Sequence, residues 1–114
     1  MQTIVVKEVG QAAEAREVEL SYEAMCKIVD GYLQMIYVNM DGHELTFWCN
    51  EEGKVHNLPV NFVFPASTGT LPGDTANGDV FVCDTDEEGE SIGLSPEQVE
   101  AALAWFTAAD PVNV

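Results

Sequence analysis

The residues of this chain with a chemical repertoire are a few carboxylates, imidazoles, thiols and side-chain amides. Glu51 and Glu52 are adjacent, and two neighbouring acids could divide general-acid and general-base work. Neighbours on an extended chain point to opposite sides, so a shared substrate would require a turn, and no partnering nucleophile is visible. His43, Cys49 and His56 are metal-ligand types. A zinc site shows paired ligands at C-x-x-C or H-x-x-x-H spacing, and these three are scattered. Asp84-x-Asp86-x-Glu88-Gly89 matches the first half of a calcium loop, but Ser95 stands where the bidentate glutamate belongs. No phosphate-cradling G-x-x-x-x-G-K-[ST] or G-x-G-x-x-G is present. No catalytic residue, no metal and no cofactor is assigned.

Binding is the chemistry left. The stretch Asn50-Glu51-Glu52-Gly53-Lys54-Val55-His56-Asn57-Leu58-Pro59-Val60-Asn61 carries polar groups that a packed core does not need. Asn-Glu-Glu-Gly reads as a turn in which Gly53 supplies a positive φ, and Leu-Pro-Val-Asn as an ordered loop. Asn50, Asn57 and Asn61 with backbone N–H groups and Trp48 could line a pocket for a small nucleotide, with 66–78 as a lid. Asp84, Asp86, Glu87, Glu88 and Glu90 form an acidic turn. Trp105 sits beside Phe106 on a helix; since adjacent positions do not share a face, Trp105 is expected half exposed, as a candidate partner anchor.

Charge bounds the partner. Twenty acids face four bases, for a net charge of −16. Such a chain repels nucleic acid and anionic membranes and attracts a basic protein surface. No apolar run approaches the about 18 residues of a membrane helix, and no secretory signal is expected at the start. Three cysteines without C-x-x-C spacing suit buried thiols in a reducing cytoplasm.

The elements that must position these groups can be read in order. Thr3 to Glu8 is β-branched and predicts a strand; Arg16 to Leu20 alternates and predicts an edge strand. Ser21 is an N-cap for a helix to Asp30 with Met25, Ile28 and Val29 on one face, closed by Gly31 in the left-handed region. Tyr32–Met40 and Glu44–Cys49 form a hairpin about Asp41-Gly42, a type I′ signal. Phe62-Val63-Phe64 predicts a helical turn or an extended plug, 66–78 a long loop, and Asp79 to Cys83 a buried strand. Leu94-Ser95-Pro96-Glu97-Gln98-Val99 is a helix start with a capping box, followed by Ala102, Leu103 and Phe106 on the packing face. The prediction is one α+β domain over 1–110 with a frayed tail at 111–114. A mainly antiparallel sheet with a central hairpin carries two helices on one face.

Asn50-Glu51-Glu52-Gly53-Lys54 followed by Leu58-Pro59-Val60-Asn61 resembles the motif of the domain-of-unknown-function family numbered 3846, small proteins of phages, plasmids and bacterial hosts. Ile4-Val5-Val6, Ile28-Val29-Asp30-Gly31-Tyr32, Asp79-Val80-Phe81-Val82 and Leu94-Ser95-Pro96-Glu97-Gln98-Val99 agree in order. Asp30-Gly31 stands where the family tends to have two glycines. The resemblance implies a phage or mobile-element setting inside the host cell, and no activity. The expected function is non-enzymatic: binding and obstructing a basic host protein surface. Sequestering a small nucleotide is the alternative.

Overall fold

The chain runs β1 (Gln2–Lys7), β2 (Glu14–Val18), α1 (Tyr22–Val29), β3 (Leu33–Met40), β4 (His43–Asn50), β5 (Val60–Val63), β6 (Thr75–Asn77), β7 (Val80–Thr85), β8 (Ser91–Ile92) and α2 (Pro96–Ala109). The computed structural model describes residues 1–53, 55–64 and 75–109; the anticipated tail at 111–114 and most of the anticipated lid lie outside them. The main sheet has the order β2-β1-β7-β4-β3, with β8 on β7 and every pairing antiparallel. β5 and β6 make a separate two-stranded sheet. The fold is α+β.

Two details depart from expectation. First, the helices cover opposite faces of the sheet. Val5, Phe47 and Val82 pack with Ala102, Trp105 and Phe106 of α2. Their neighbours Ile4, Val6, Phe81 and Cys83 pack with Met25 and Val29 of α1. Successive strand residues face opposite sides, so Ile4-Val5-Val6 and Val80-Phe81-Val82-Cys83 need cover on both. Second, the β3–β4 hairpin lies at the margin of the sheet, and β7 takes the centre between β1 and β4.

Local chemistry explains the element ends. Ser21 Oγ accepts from the Ala24 N–H at 3.1 Å and opens α1. Asp30, not Gly31, takes the left-handed conformation at its close (φ 57°, ψ 47°). The Gly31 N–H bonds Cys26 O and the Asp30 N–H bonds Lys27 O, the paired closure of a Schellman motif. Asp41 and Gly42 both have positive φ, as type I′ requires. Ser95 Oγ accepts from the Gln98 N–H while Gln98 Oε1 accepts from the Ser95 N–H, the reciprocal bonds of the capping box. β2 lies two residues earlier than expected, at Glu14–Val18. The Phe62-Val63-Phe64 segment is extended, because β6, hidden in the anticipated loop, pairs with β5.

Candidate functional site

The motif stretch begins where β4 ends. Asn50 is buried, and its amide nitrogen donates to Val29 O (3.2 Å) and Asp30 O (3.0 Å). Its Oδ1 accepts from the Glu52 N–H at 2.8 Å. One side chain therefore serves carbonyls at the end of α1 and starts the next turn. Gly31 makes room for it: a Cβ there would collide with Asn50 Nδ2. The turn continues with His56 N–H to Glu52 O and Leu58 N–H to Gly53 O, and Asn57 closes it in the left-handed region at φ 54°. Gly53 does not have the positive φ expected of it. It is buried, and a Cβ would lie 2.9 Å from Asn77 O, so close approach is what requires glycine.

The other end of the motif is a second clasp. Asn61 is the extra residue where the β5–β6 register shifts between Val60 and Phe62. Its amide nitrogen donates to Lys7 O (2.7 Å) and Gly78 O (2.9 Å), and its Oδ1 accepts from Lys7 Nζ at 2.9 Å. Lys7 is 1% exposed and also donates to Glu8 O. A buried ammonium must be hydrogen-bonded, and these oxygens meet that demand. Asn77 donates to Leu58 O, and the Gly78 N–H bonds Pro59 O. The motif thus ties the small sheet to β1 and α1.

The remaining candidates separate in the same way. Glu51 is exposed and offers its backbone N–H to Tyr32 O, while the Glu52 carboxylate lies 3.5 Å from His56 Nε2. In the acidic turn Asp86 Oδ1 accepts from the Glu88 and Glu90 N–H groups. Asp84 accepts from Thr85 N–H and from Gln98 Nε2, joining β7 to α2. Glu87, Glu88 and Glu90 remain as exposed charges. Trp105 is not half exposed. At 8% it lies among Phe62, Phe64 and Phe106, because the β5 segment wraps the second flank of α2. Among the described residues no three His, Cys, Asp or Glu side chains gather as a metal site would need.

Two surface features have no counterpart in the sequence pattern. A groove of about 440 Å³ opens between α1, β3, β4 and the β8 turn, lined by Tyr22, Met25, Leu33, Trp48 and Glu90 among others. In its wall Trp48 Nε1 donates to Cys83 Sγ at 3.2 Å, and the Tyr22 hydroxyl, beside the Cys26 thiol, titrates above its ordinary value. Burial pushes the Cys83 thiol up as well, which keeps it protonated and unreactive. By the motif itself the described residues form a cavity of about 200 Å³, with Asp30 and Asp79 in its wall. The second feature is the placement of the cations. Lys7 is inside the molecule, and Arg16 is held by Glu8 and Glu14, which raise its pKa. Lys27 is exposed at the end of α1, where it suits the helix dipole; Lys54 lies outside the described residues.

No helix among the described residues is long and apolar enough to cross a membrane. Neither the curated proteins nor the solved structures give a match to this chain. A family model does, over residues 1–107, taking in both clasps and all ten elements up to the last turn of α2. The chain belongs to the family described as Domain of unknown function (DUF3846).

Proposed function

We propose that this chain is a small, non-enzymatic acidic binding protein, encoded by a phage or mobile element, that binds and obstructs a basic surface of a host protein in the cytoplasm. The observation that carries this reading is the disposition of the bases. A net charge of −16 is a property of composition, but two of the four bases are not offered at the surface as contacts, one being buried and one engaged by two carboxylates. Exposed acids on β2, α1, the hairpin, the β7–β8 turn and the first turns of α2 are left almost unopposed. Such a field steers a basic partner and occupies a surface that would otherwise hold phosphates, which suits counter-defence by nucleic-acid mimicry. The nucleotide reading has less support, since the cavity that the described residues form beside the motif, about 200 Å³, is below the about 300 Å³ of an ordinary ligand site and has Asp30 and Asp79 in its wall.

The test is capture from host lysate, followed by affinity measurement on the identified partner across a salt series. Between about 0.05 and about 0.5 M salt the Debye length falls from more than about 10 Å to a few Å. Affinity is expected to drop at least tenfold. Replacing Glu87, Glu88 and Glu90 with lysine is expected to slow association about tenfold at low salt. An affinity that stays flat across the salt range removes the electrostatic reading.

A further inference from the structure

The two margins of the main sheet are built differently. β2 is short and carries Glu14, Arg16 and Glu17, the charges that natural edge strands use against unwanted pairing. β3 is eight residues, Leu-Gln-Met-Ile-Tyr-Val-Asn-Met, without a charge, a proline or a register shift. The two-residue turn makes Met40 and His43 a hydrogen-bonded pair, so the even residues of β3 bond to β4. Leu33, Met35, Tyr37 and Asn39 then turn their N–H and C=O groups outward, and no described residue bonds to them. Met35 and Tyr37 are 45% and 49% exposed beside half-buried Trp48. The uncharged edge is bracketed by exposed carboxylates, with Asp30 and Glu51 at one end and Asp41 and Glu44 at the other.

We infer that the outer edge of β3 is a docking site for an extended segment of a basic protein, which adds to the sheet as a further strand. This rests on the acidic-binder reading above and names its surface. The edge supplies the backbone bonds, Met35 and Tyr37 supply the apolar contact, and the carboxylates at the ends select a segment with apolar residues between lysines or arginines. A second copy of the chain is disfavoured as occupant. Antiparallel β3–β3 pairing would set Asp30 and Glu51 of one copy against Asp41 and Glu44 of the other, like charge on like charge at both ends.

The experiment uses the full chain and two synthetic peptides of alternating valine and threonine, one flanked by lysine pairs and one by glutamate pairs. Binding is read by fluorescence anisotropy and by amide hydrogen exchange. The lysine-flanked peptide is expected to bind and to slow exchange at least tenfold at the Leu33, Met35, Tyr37 and Asn39 amides. Tyr37→Pro removes an outward N–H without touching a bond to β4, and Met35→Lys adds an edge charge. Each is expected to weaken binding at least tenfold, with the Val38 amide still protected as the sign of an intact hairpin. Absence of binding overturns the inference. So does equal binding of the glutamate-flanked peptide. Salt-sensitive binding that leaves the β3 amides and both variants unaffected overturns the docking edge while the acidic-binder reading stands. A free protein that is already dimeric, with protected β3 amides, overturns the basic-segment occupant and assigns the edge to a second copy.

Discussion

Asn50 has several duties at once: two donated bonds to the end of α1 and one accepted from the following turn, all from a buried position. Truncation leaves three backbone groups short of a partner, so Asn50→Ala is expected to cost about 2–3 kcal/mol, measured by urea denaturation. Gly31→Ala places a methyl in the space of the Asn50 amide and is expected to cost about 1–3 kcal/mol. The two costs are not independent. With the amide gone the methyl has room, so the double variant should fall short of the sum by about 1 kcal/mol. Strict additivity would show that the two residues do not meet. The polar stretch stands out in the sequence, where its turn signals describe a shaped surface able to hold a ligand. Its actual partners, Val29 O, Lys7 and Gly78 O, lie far away in the chain, and local turn chemistry says nothing about them.

Elements whose ends are set by neighbours a few residues away are the legible ones. Asp41-Gly42, Ser21 and the Ser95–Gln98 pair each act within three residues, and each acts as expected. The end of α1 is legible only as a closure. Glycine is the natural choice for the left-handed position, but that position belongs to Asp30. Asp30→Gly is therefore expected to stabilise the protein by about 0.5–1 kcal/mol, read as a higher urea midpoint at unchanged slope. A loss of stability would mean that the Asp30 carboxylate contributes more than its backbone strain costs. The placement of the helices differs from expectation because the runs in β1 and β7 are apolar on both sides, a pattern that demands two covered faces. Trp105 differs because helix periodicity marks one packing face, and nothing in α2 announces that Phe62 and Phe64 arrive on its flank.

For the whole molecule the main electrostatic effect is self-repulsion. With −16 on a chain of 114 residues, the folded state gathers carboxylates that the unfolded chain spreads apart. Raising sodium chloride from about 0.01 to about 1 M shortens the Debye length from about 30 to about 3 Å. The thermal midpoint is expected to rise by about 5 °C, equivalent to about 1 kcal/mol for a domain of this size. A midpoint that falls with salt would point instead to ion pairs as the main electrostatic contribution. The place of β7 has a further consequence, for the order in which the protein can be made. Its residues Val80–Thr85 come late in the chain yet stand between β1 and β4. During synthesis the hairpin can close early, since its partners are local. β1, in contrast, must wait for the ribosome to deliver Val80 and its followers before its inner flank has a neighbour. Until then the growing chain holds two half-sheets and no centre, and the arrival of β7 turns them into one body.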